Sequence, residues 1–119
     1  MTDPELLTLI HGLLYRLGLT ASYTGFFHTS YAVLLSVRRQ ECLTAATKWL
    51  YPEVADVYGT NWKAVERNIR YTINILWREH PNRLCDLAGE LLEKPPAPTK
   101  FISLLTARLA QAEKNSRDL

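Results

Sequence analysis

The stretch Pro52-Glu-Val-Ala-Asp-Val-Tyr-Gly-Thr-Asn-Trp-Lys-Ala-Val-Glu-Arg-Asn-Ile-Arg-Tyr71 predicts a short helix, a tight turn at Gly59 and a longer helix. Ala55, four residues before Gly59, is small enough to let the second helix cross closely, and Val65, six residues after it, pins the pair together. Glycine allows the positive φ that such a turn can need. The spacing is typical of a helix-turn-helix, although ordinary corners between two helices have similar patterns.

Apolar residues at helical spacing continue on both sides of this stretch, separated by glycines and prolines that suit helix ends. The predicted helices cover about 4–17, 24–38, 43–51, 52–58, 61–78, 83–93 and 99–114, with Thr99 as N-cap of the last and 115–119 as a frayed tail. The apolar composition of 24–38 predicts a central core helix. No strand pattern of useful length is present, so the sequence predicts an all-α, compact bundle of six to seven short helices in one domain, 1–119.

The composition excludes several classes of protein. Apolar residues make up 47% and charged residues 22% of 119 residues, which is average for a globular domain. Cys42 and Cys85 have no CxxC spacing and no neighbouring histidine cluster, so we expect no metal, no cofactor and a reducing compartment. The acidic N-terminus is not a secretory signal and the apolar runs are too short for a bilayer, which predicts a cytoplasmic protein without a membrane partner.

Catalysis is not expected. The three histidines are scattered, and no carboxylate or thiol lies at a spacing that indicates a catalytic site. These histidines are His11, His28 and His80. Each is more often a surface or packing residue, so we predict that the chain is not an enzyme.

The longer helix of the opening stretch has two opposite faces. At about 100° per residue one face is apolar, and it consists of Val65, Ile69, Thr72, Ile73 and Leu76. The other face is basic and polar, and it consists of Lys63, Arg67, Arg70 and Asn74, with Glu66 and Tyr71 on its flanks. Residues 60–83 carry a net charge of +3, against +2 for the whole chain. Such a concentrated basic face is typical of a protein that binds duplex DNA.

Three side chains of the basic face suit base recognition. Arg67 and Arg70 can each present a planar fork to the O6 and N7 edge of guanine in the major groove. Glu66 can accept a hydrogen bond from a cytosine amino group or orient either arginine. From the residues alone, a solvated helix surface with an i,i+4 pair between Glu66 and Arg70 is an equally good interpretation.

Five further residues suit the DNA backbone. Lys63 and Tyr71 are placed for phosphate contacts, and Thr60 and Asn61 lie at the helix N-terminus, where backbone N–H groups favour an anion. Lys48, in the preceding helix, can reach the backbone or remain a plain surface lysine. The predicted backbone contacts are therefore Thr60, Asn61, Lys63, Tyr71 and Lys48.

These motifs resemble a known family, the C-terminal DNA-binding (effector) domain of the sporulation master response regulator (stage zero A). The resemblance extends from about Leu7 to Gln111. The matching pieces are Gly18, Gly25, Leu50-Tyr51-Pro52-Glu53-Val54-Ala55, Val65-Glu66-Arg67-Asn68-Ile69-Arg70-Tyr71, Trp77 and Phe101-Ile102.

The resemblance implies a six-helix-type bundle around a helix-turn-helix that binds a short promoter box as a sporulation transcription factor. The base-reading Glu-Arg pair of the family falls on Glu66 and Arg67, and its following arginine falls on Arg70. Double-stranded DNA is the implied partner, with two domains in tandem on it. An RNA polymerase sigma factor is a further implied partner, because the region after the recognition helix contacts polymerase.

The chain departs from the family at several points. Tyr71 stands where the family often has histidine, and Trp62 stands where it tends to have a small residue; packing at the core edge and a phosphate contact are both open to this indole. The segment between Trp77 and Phe101 is shorter than usual. The length leaves no room for a receiver domain, so phosphorylation control within the chain is not expected.

The alternative function is a helical protein-interaction module. It would bind a receiver domain, a sigma factor or a second copy of the chain. The large aromatic residues Phe27, Trp62 and Tyr71 and the missing receiver domain motivate it.

Overall fold

A computed structural model describes residues 1–117, in which every regular element is helical. The α-helices are α1 (Asp3–Leu17), α2 (Thr24–Arg38), α3 (Ala46–Trp49), α4 (Tyr51–Tyr58), α5 (Trp62–Glu79), α6 (Pro81–Ala88) and α7 (Pro98–Arg117), and a 3-10 helix covers Gln40–Ala45. No strand occurs over 1–117, so the predicted all-α class and the bundle of short helices are confirmed.

Helix α2 is the centre of the bundle, as its apolar sequence predicted. It packs against α1, α5 and α7. Phe26 and Val33 are 1% and 0% exposed, and His28 on the same helix is also buried. Helices α4 and α5 therefore pack against a core that α1 and α7 complete.

The predicted helix 43–51 is wrong in its first half. The chain forms the 3-10 helix there, and α3 begins only at Ala46. The hydroxyl of Thr44 donates to the carbonyl of Glu41 at 2.7 Å, a local bond that competes with α-helical pairing. Ala45 has φ −146° and ψ 68°, which separates the two helices.

The predicted helix 83–93 is displaced toward the N-terminus. Helix α6 starts at Pro81, which fits the first turn because its missing N–H would be unbonded there. It ends at Ala88 because Gly89 takes φ 72° and donates to the carbonyl of Cys85 at 2.8 Å. The apolar residues that suggested continuation lie outside the helix, and Leu91 is 91% exposed.

The last helix is longer than predicted at both ends. It begins at Pro98, so Thr99 is not its N-cap; the Thr99 hydroxyl lies 3.1 Å from the hydroxyl of Tyr51 instead. The helix continues to Arg117, past the predicted end near Lys114 and into the predicted frayed tail 115–119. Residues 118 and 119 of that tail lie outside the described residues.

Arg38, at the end of α2, joins both ends of the described chain. Its Nε lies 3.1 Å from Asp3 Oδ1, its Nη1 lies 3.1 Å from Glu113 Oε2, and its Nη2 donates to the carbonyl of Met1 at 2.7 Å. The start of α1 and the later turns of α7 therefore meet at one end of α2.

Candidate nucleic-acid interface

The turn between α4 and α5 has the geometry that the sequence predicted. Gly59 has φ 66° and ψ 37°, a left-handed conformation that strains other residues. The backbone N–H groups of Gly59 and Thr60 both donate to the carbonyl of Ala55, the latter at 3.0 Å. Ala55 is buried, so its small side chain lies where the two helices approach.

Asn61 is the N-cap of α5. Its Oδ1 accepts from the backbone N–H of Ala64 at 2.9 Å. Its side-chain NH₂ and the first backbone N–H groups of the helix are left as donors at this end. The N–H of Thr60 is already bonded to Ala55, so Thr60 can offer an incoming phosphate its hydroxyl.

One face of α5 is fixed in the core. All five residues of the predicted apolar face are buried to within 1%, and these are Val65, Ile69, Thr72, Ile73 and Leu76. Gly25 of α2 touches this face so closely that a Cβ there would lie 2.3 Å from the carbonyl oxygen of Asn68 and 2.4 Å from Thr72 Cγ2. The position of α5 therefore depends on the absence of a side chain at Gly25.

The opposite face of α5 is open to solvent. Its four predicted residues are all exposed, and these are Lys63, Arg67, Arg70 and Asn74. They span twelve residues, or about 16 Å of helix axis at 1.5 Å per residue. A helix of about 10–12 Å diameter fits the major groove of B-DNA, which is about 12 Å wide. The shape and charge of this face are therefore compatible with groove insertion.

The carboxylate of Glu66 is directed to Arg70. Glu66 Oε1 lies 3.5 Å from Arg70 Nη2, with side-chain exposures of 33% and 55%. A solvated i,i+4 pair of this kind contributes at most a few tenths of a kcal/mol. Arg67 makes no ion pair with any residue of the described part of the chain. Arg70 thus has only a weak partner in Glu66, and the guanidinium of Arg67 is left available for an external acceptor.

Two aromatic residues flank the basic face. The Lys63 ammonium lies 5.7 Å from the centre of the Trp62 ring. Trp62 is half-buried and packs on the edge of the core, which confirms one of its two predicted placements. Tyr71 is 57% exposed, and its ring meets that of Tyr23 edge to face at 6.2 Å. Trp62 and Tyr71 thus form the two edges of the basic face.

Lys48 belongs to a different surface element. It lies on α3, which packs on the 3-10 helix and on α4. Its ammonium lies 5.1 Å from the centre of the neighbouring Trp49 ring. The structure brings the other predicted residues together on α5 and its N-terminal turn, whereas it does not join Lys48 to them.

Sequence reasoning missed three residues that position this face. Gly25 lets α5 approach α2, Tyr23 supports Tyr71, and Tyr51 links α4 to Thr99 of α7. Burial raises the pKa of Tyr51, the hydrogen bond with Thr99 lowers it, and the charges of Glu66 and Arg70 raise and lower it respectively. In the sequence, Gly25 and Tyr51 stood out only as matching pieces of the family resemblance, without a structural role.

The family model described as Sporulation initiation factor Spo0A C terminal matches residues 10–109 of the 119 residues. The chain belongs to the Spo0A C-terminal family. Spo0A C-terminal domains are DNA-binding regulatory domains of sporulation and are not a family of enzymes, so this chain is a DNA-binding regulator in that broad sense.

Over residues 1–117, no helix combines the length and apolar character needed to cross a bilayer. Cys42 and Cys85 are both free, and the Cys85 sulfur accepts a hydrogen bond from the backbone N–H of Leu92 at 3.4 Å. Cys85 thus has a structural contact that helps place the chain after Gly89.

Proposed function

We propose that the chain is a sequence-specific regulator of transcription that inserts α5 into the major groove of duplex DNA. The observation that carries this proposal is the exposed face of α5, where Arg67 stands without an ion-pair partner in the described region beside the Glu66–Arg70 pair. Arginine forks are the commonest specific contacts to guanine. We propose the cytoplasm as the place of action, because DNA is the target.

The base readers in this proposal are Glu66, Arg67 and Arg70. Arg67 binds the O6 and N7 atoms of guanine, and Arg70 binds a second guanine in an orientation set by Glu66. Glu66 accepts from a cytosine amino group with its second carboxylate oxygen. The 3.5 Å contact between Arg70 Nη2 and Glu66 Oε1 supports this division of roles, because the two side chains already lie next to each other before DNA binds.

The remaining predicted residues serve the backbone. Lys63 and Tyr71 contact phosphates from the two sides of α5, and the Thr60 hydroxyl and the Asn61 NH₂ group contact a phosphate at its N-terminal end. Lys48 contacts a phosphate farther out only if the duplex extends past α4, since it lies on α3. Phosphate contacts fix the register of the helix but read no sequence.

Selection of bound duplexes from a random pool tests the proposal most directly. A recovered box with guanines at fixed positions is expected, and log affinity for it should fall with log salt, by about 0.9 for each phosphate that a lysine or arginine neutralises. Arg67→Ala should relax the base preference at one position of the box. Arg78 lies one turn after Asn74, the last residue of the exposed face, so Arg78→Ala should lower the affinity without changing the preferred box. Recovery of no preferred sequence, or no binding at low salt, would remove the proposal.

Contacts with other proteins extend this proposal. We propose two domains in tandem on adjacent boxes and a sigma factor bound near the region after α5, as the family resemblance implies. Titration of duplexes with one or two boxes gives the stoichiometry, and pull-down with purified sigma factor tests the second contact. If Phe27, at 39% exposure, and Tyr71 instead serve a protein-interaction module, a purified receiver domain, sigma factor or second copy will bind equally well to Arg67→Ala, while no duplex binds.

A further inference from the structure

A second cationic surface lies away from the exposed face of α5. Eight arginines have described side chains, and four of them pair with a carboxylate. Of the other four, Arg67 is on α5, and the remaining three meet at one place. These are Arg16 of α1, Arg83 of α6 and Arg108 of α7.

The three arginines surround a groove that runs beside α1. One cavity of about 180 Å³ contains all three, and a second of about 190 Å³ shares Leu13, Arg16 and Arg108 with it and continues to Leu9. We define the α1 groove by six of its residues, Leu9, Leu13, Arg16, Arg83, Leu87 and Arg108. Since Leu9, Leu13 and Leu17 are one turn apart, the floor extends for about 12 Å along α1.

The charges in the groove are only partly balanced. Asp86 also lines the first cavity, but it forms no salt bridge with the three arginines within the described region, and the local net charge is +2. The second cavity is lined by Arg16 and Arg108 and by no acidic residue. Free guanidinium groups bind carboxylates or phosphates in a bidentate manner.

We propose that the α1 groove binds an acidic, amphipathic segment of a partner protein. Carboxylates of that segment would pair with Arg16, Arg83 and Arg108, and an apolar side chain would cover Leu9, which is 38% exposed. The elongated shape and the leucine floor suit a helical peptide, since a nucleic-acid backbone would need the arginines but no apolar floor. Leu13 and Leu87 are each only 7% exposed, so charge provides most of the attraction.

The groove can be occupied independently of DNA. The groove is lined by residues of α1, α6 and α7 and by none of α5, although α5 packs against α6 and α7 as well as against α2 and α4. The exposed face of α5 points away from its buried side, where α2 lies. A partner in the α1 groove would therefore bind a surface that the proposed DNA contact leaves uncovered.

The experiment uses a synthetic peptide of about four helical turns, with leucine along one face and glutamate on the flanks. Nuclear magnetic resonance spectra of the full chain should shift at the α1 groove, and the same peptide with glutamine for every glutamate should bind about tenfold more weakly. Raising the salt concentration from about 0.05 to 0.5 M should weaken the binding of the glutamate peptide but not that of the glutamine peptide.

Matched variants complete the test. The double variant Arg16→Gln/Arg108→Gln should no longer bind the peptide, but it should keep its helical circular dichroism and its DNA affinity. The control Arg39→Gln/Lys94→Gln removes the same amount of positive charge elsewhere and should still bind the peptide. Equal binding of both peptides, shifts outside the groove, or equal loss in both double variants would overturn the proposal. In a parallel titration, a random-sequence duplex replaces the peptide. If this duplex shifts the resonances of the groove residues, the proposal is overturned and the groove is assigned to nucleic acid.

Discussion

The two sides of α5 differ in how many of their side chains make contacts within the protein. On the packed side, Ile69 and Thr72 are fully buried, and Gly25 meets the helix with no space for a methyl group. On the exposed side, Arg67 has no ion-pair partner over 1–117, and Arg70 shares only a weak contact with Glu66. The fold thus determines where the helix lies, while the residues that would read DNA are ones that folding hardly requires.

Gly25→Ala should give the largest effect and break the packed side. The new Cβ would overlap a backbone carbonyl and Thr72 Cγ2, neither of which can move without α5, so we expect a loss of about 3 kcal/mol in the free energy of unfolding. Urea denaturation followed by circular dichroism measures it.

Gly12→Ala is the matched control for this prediction. Gly12 also lies in a helix, but its Cβ would meet only the flexible end of Arg16, at 3.6 Å. We expect this variant to gain about 0.5–1 kcal/mol from helix propensity. Equal stabilities of the two variants would contradict the close approach of α2 and α5.

Arg67→Ala should break only the exposed side. We expect DNA affinity to fall by about 2 kcal/mol, the usual value of a bidentate contact to guanine, and the free energy of unfolding to stay within about 0.5 kcal/mol. Binding titrations with the selected duplex and urea denaturation measure the two quantities. A large loss of stability would show that Arg67 is needed by the fold and would end the distinction between the two sides.

Asn61→Ala should act on both sides at once. Loss of the bond to the Ala64 N–H should cost about 1 kcal/mol of stability, and loss of the side-chain NH₂ should remove one phosphate contact. Asn61→Ser, which restores the cap but not the NH₂ group, should recover the stability while the loss of DNA affinity remains. Recovery of both properties by serine would assign Asn61 to the cap alone.

His28 should make the packed side sensitive to pH, with the smallest change of the four. It is buried beside Tyr58, with ring centres 5.2 Å apart, and burial lowers its pKa. Below about pH 6.5 the unfolded chain therefore binds more protons than the native chain, and stability falls as the pH decreases. Urea denaturation between pH 7.5 and about 5 should show this slope, which His28→Leu should reduce. His11, whose pKa burial also lowers, acts in the same direction, so the slope should not vanish.

The sequence predicted the helix-turn-helix closely because its boundaries depend on local chemistry. Gly59 ends α4 by its left-handed conformation and Asn61 begins α5 by capping it, and both signals are contained in a few adjacent residues. The two faces of α5 followed from helical periodicity alone. Local capping and periodicity therefore sufficed for the element on which the candidate site lies.

The sequence failed where tertiary contacts or local competition decide the structure. The apolar pair Leu91 and Leu92 suggested a longer α6, but Gly89 ends the helix before them. Thr99 resembled an N-cap, yet it contacts Tyr51 across the bundle. The close approach at Gly25 joins residues more than forty positions apart, which no local pattern can reveal. The roles of Glu66, Arg67 and Arg70 toward bases remain predictions.

The contacts of Arg38 have a consequence for how the bundle can be attached to other polypeptides. Arg38 holds Met1 and Glu113 near the end of α2, and that point lies thirteen residues, or about 20 Å of helix axis, from Gly25, where α5 crosses. A linker joined to Met1 would thus leave the molecule about 20 Å from the crossing with α5. A fused protein would therefore be attached at the end of α2 opposite its crossing with α5.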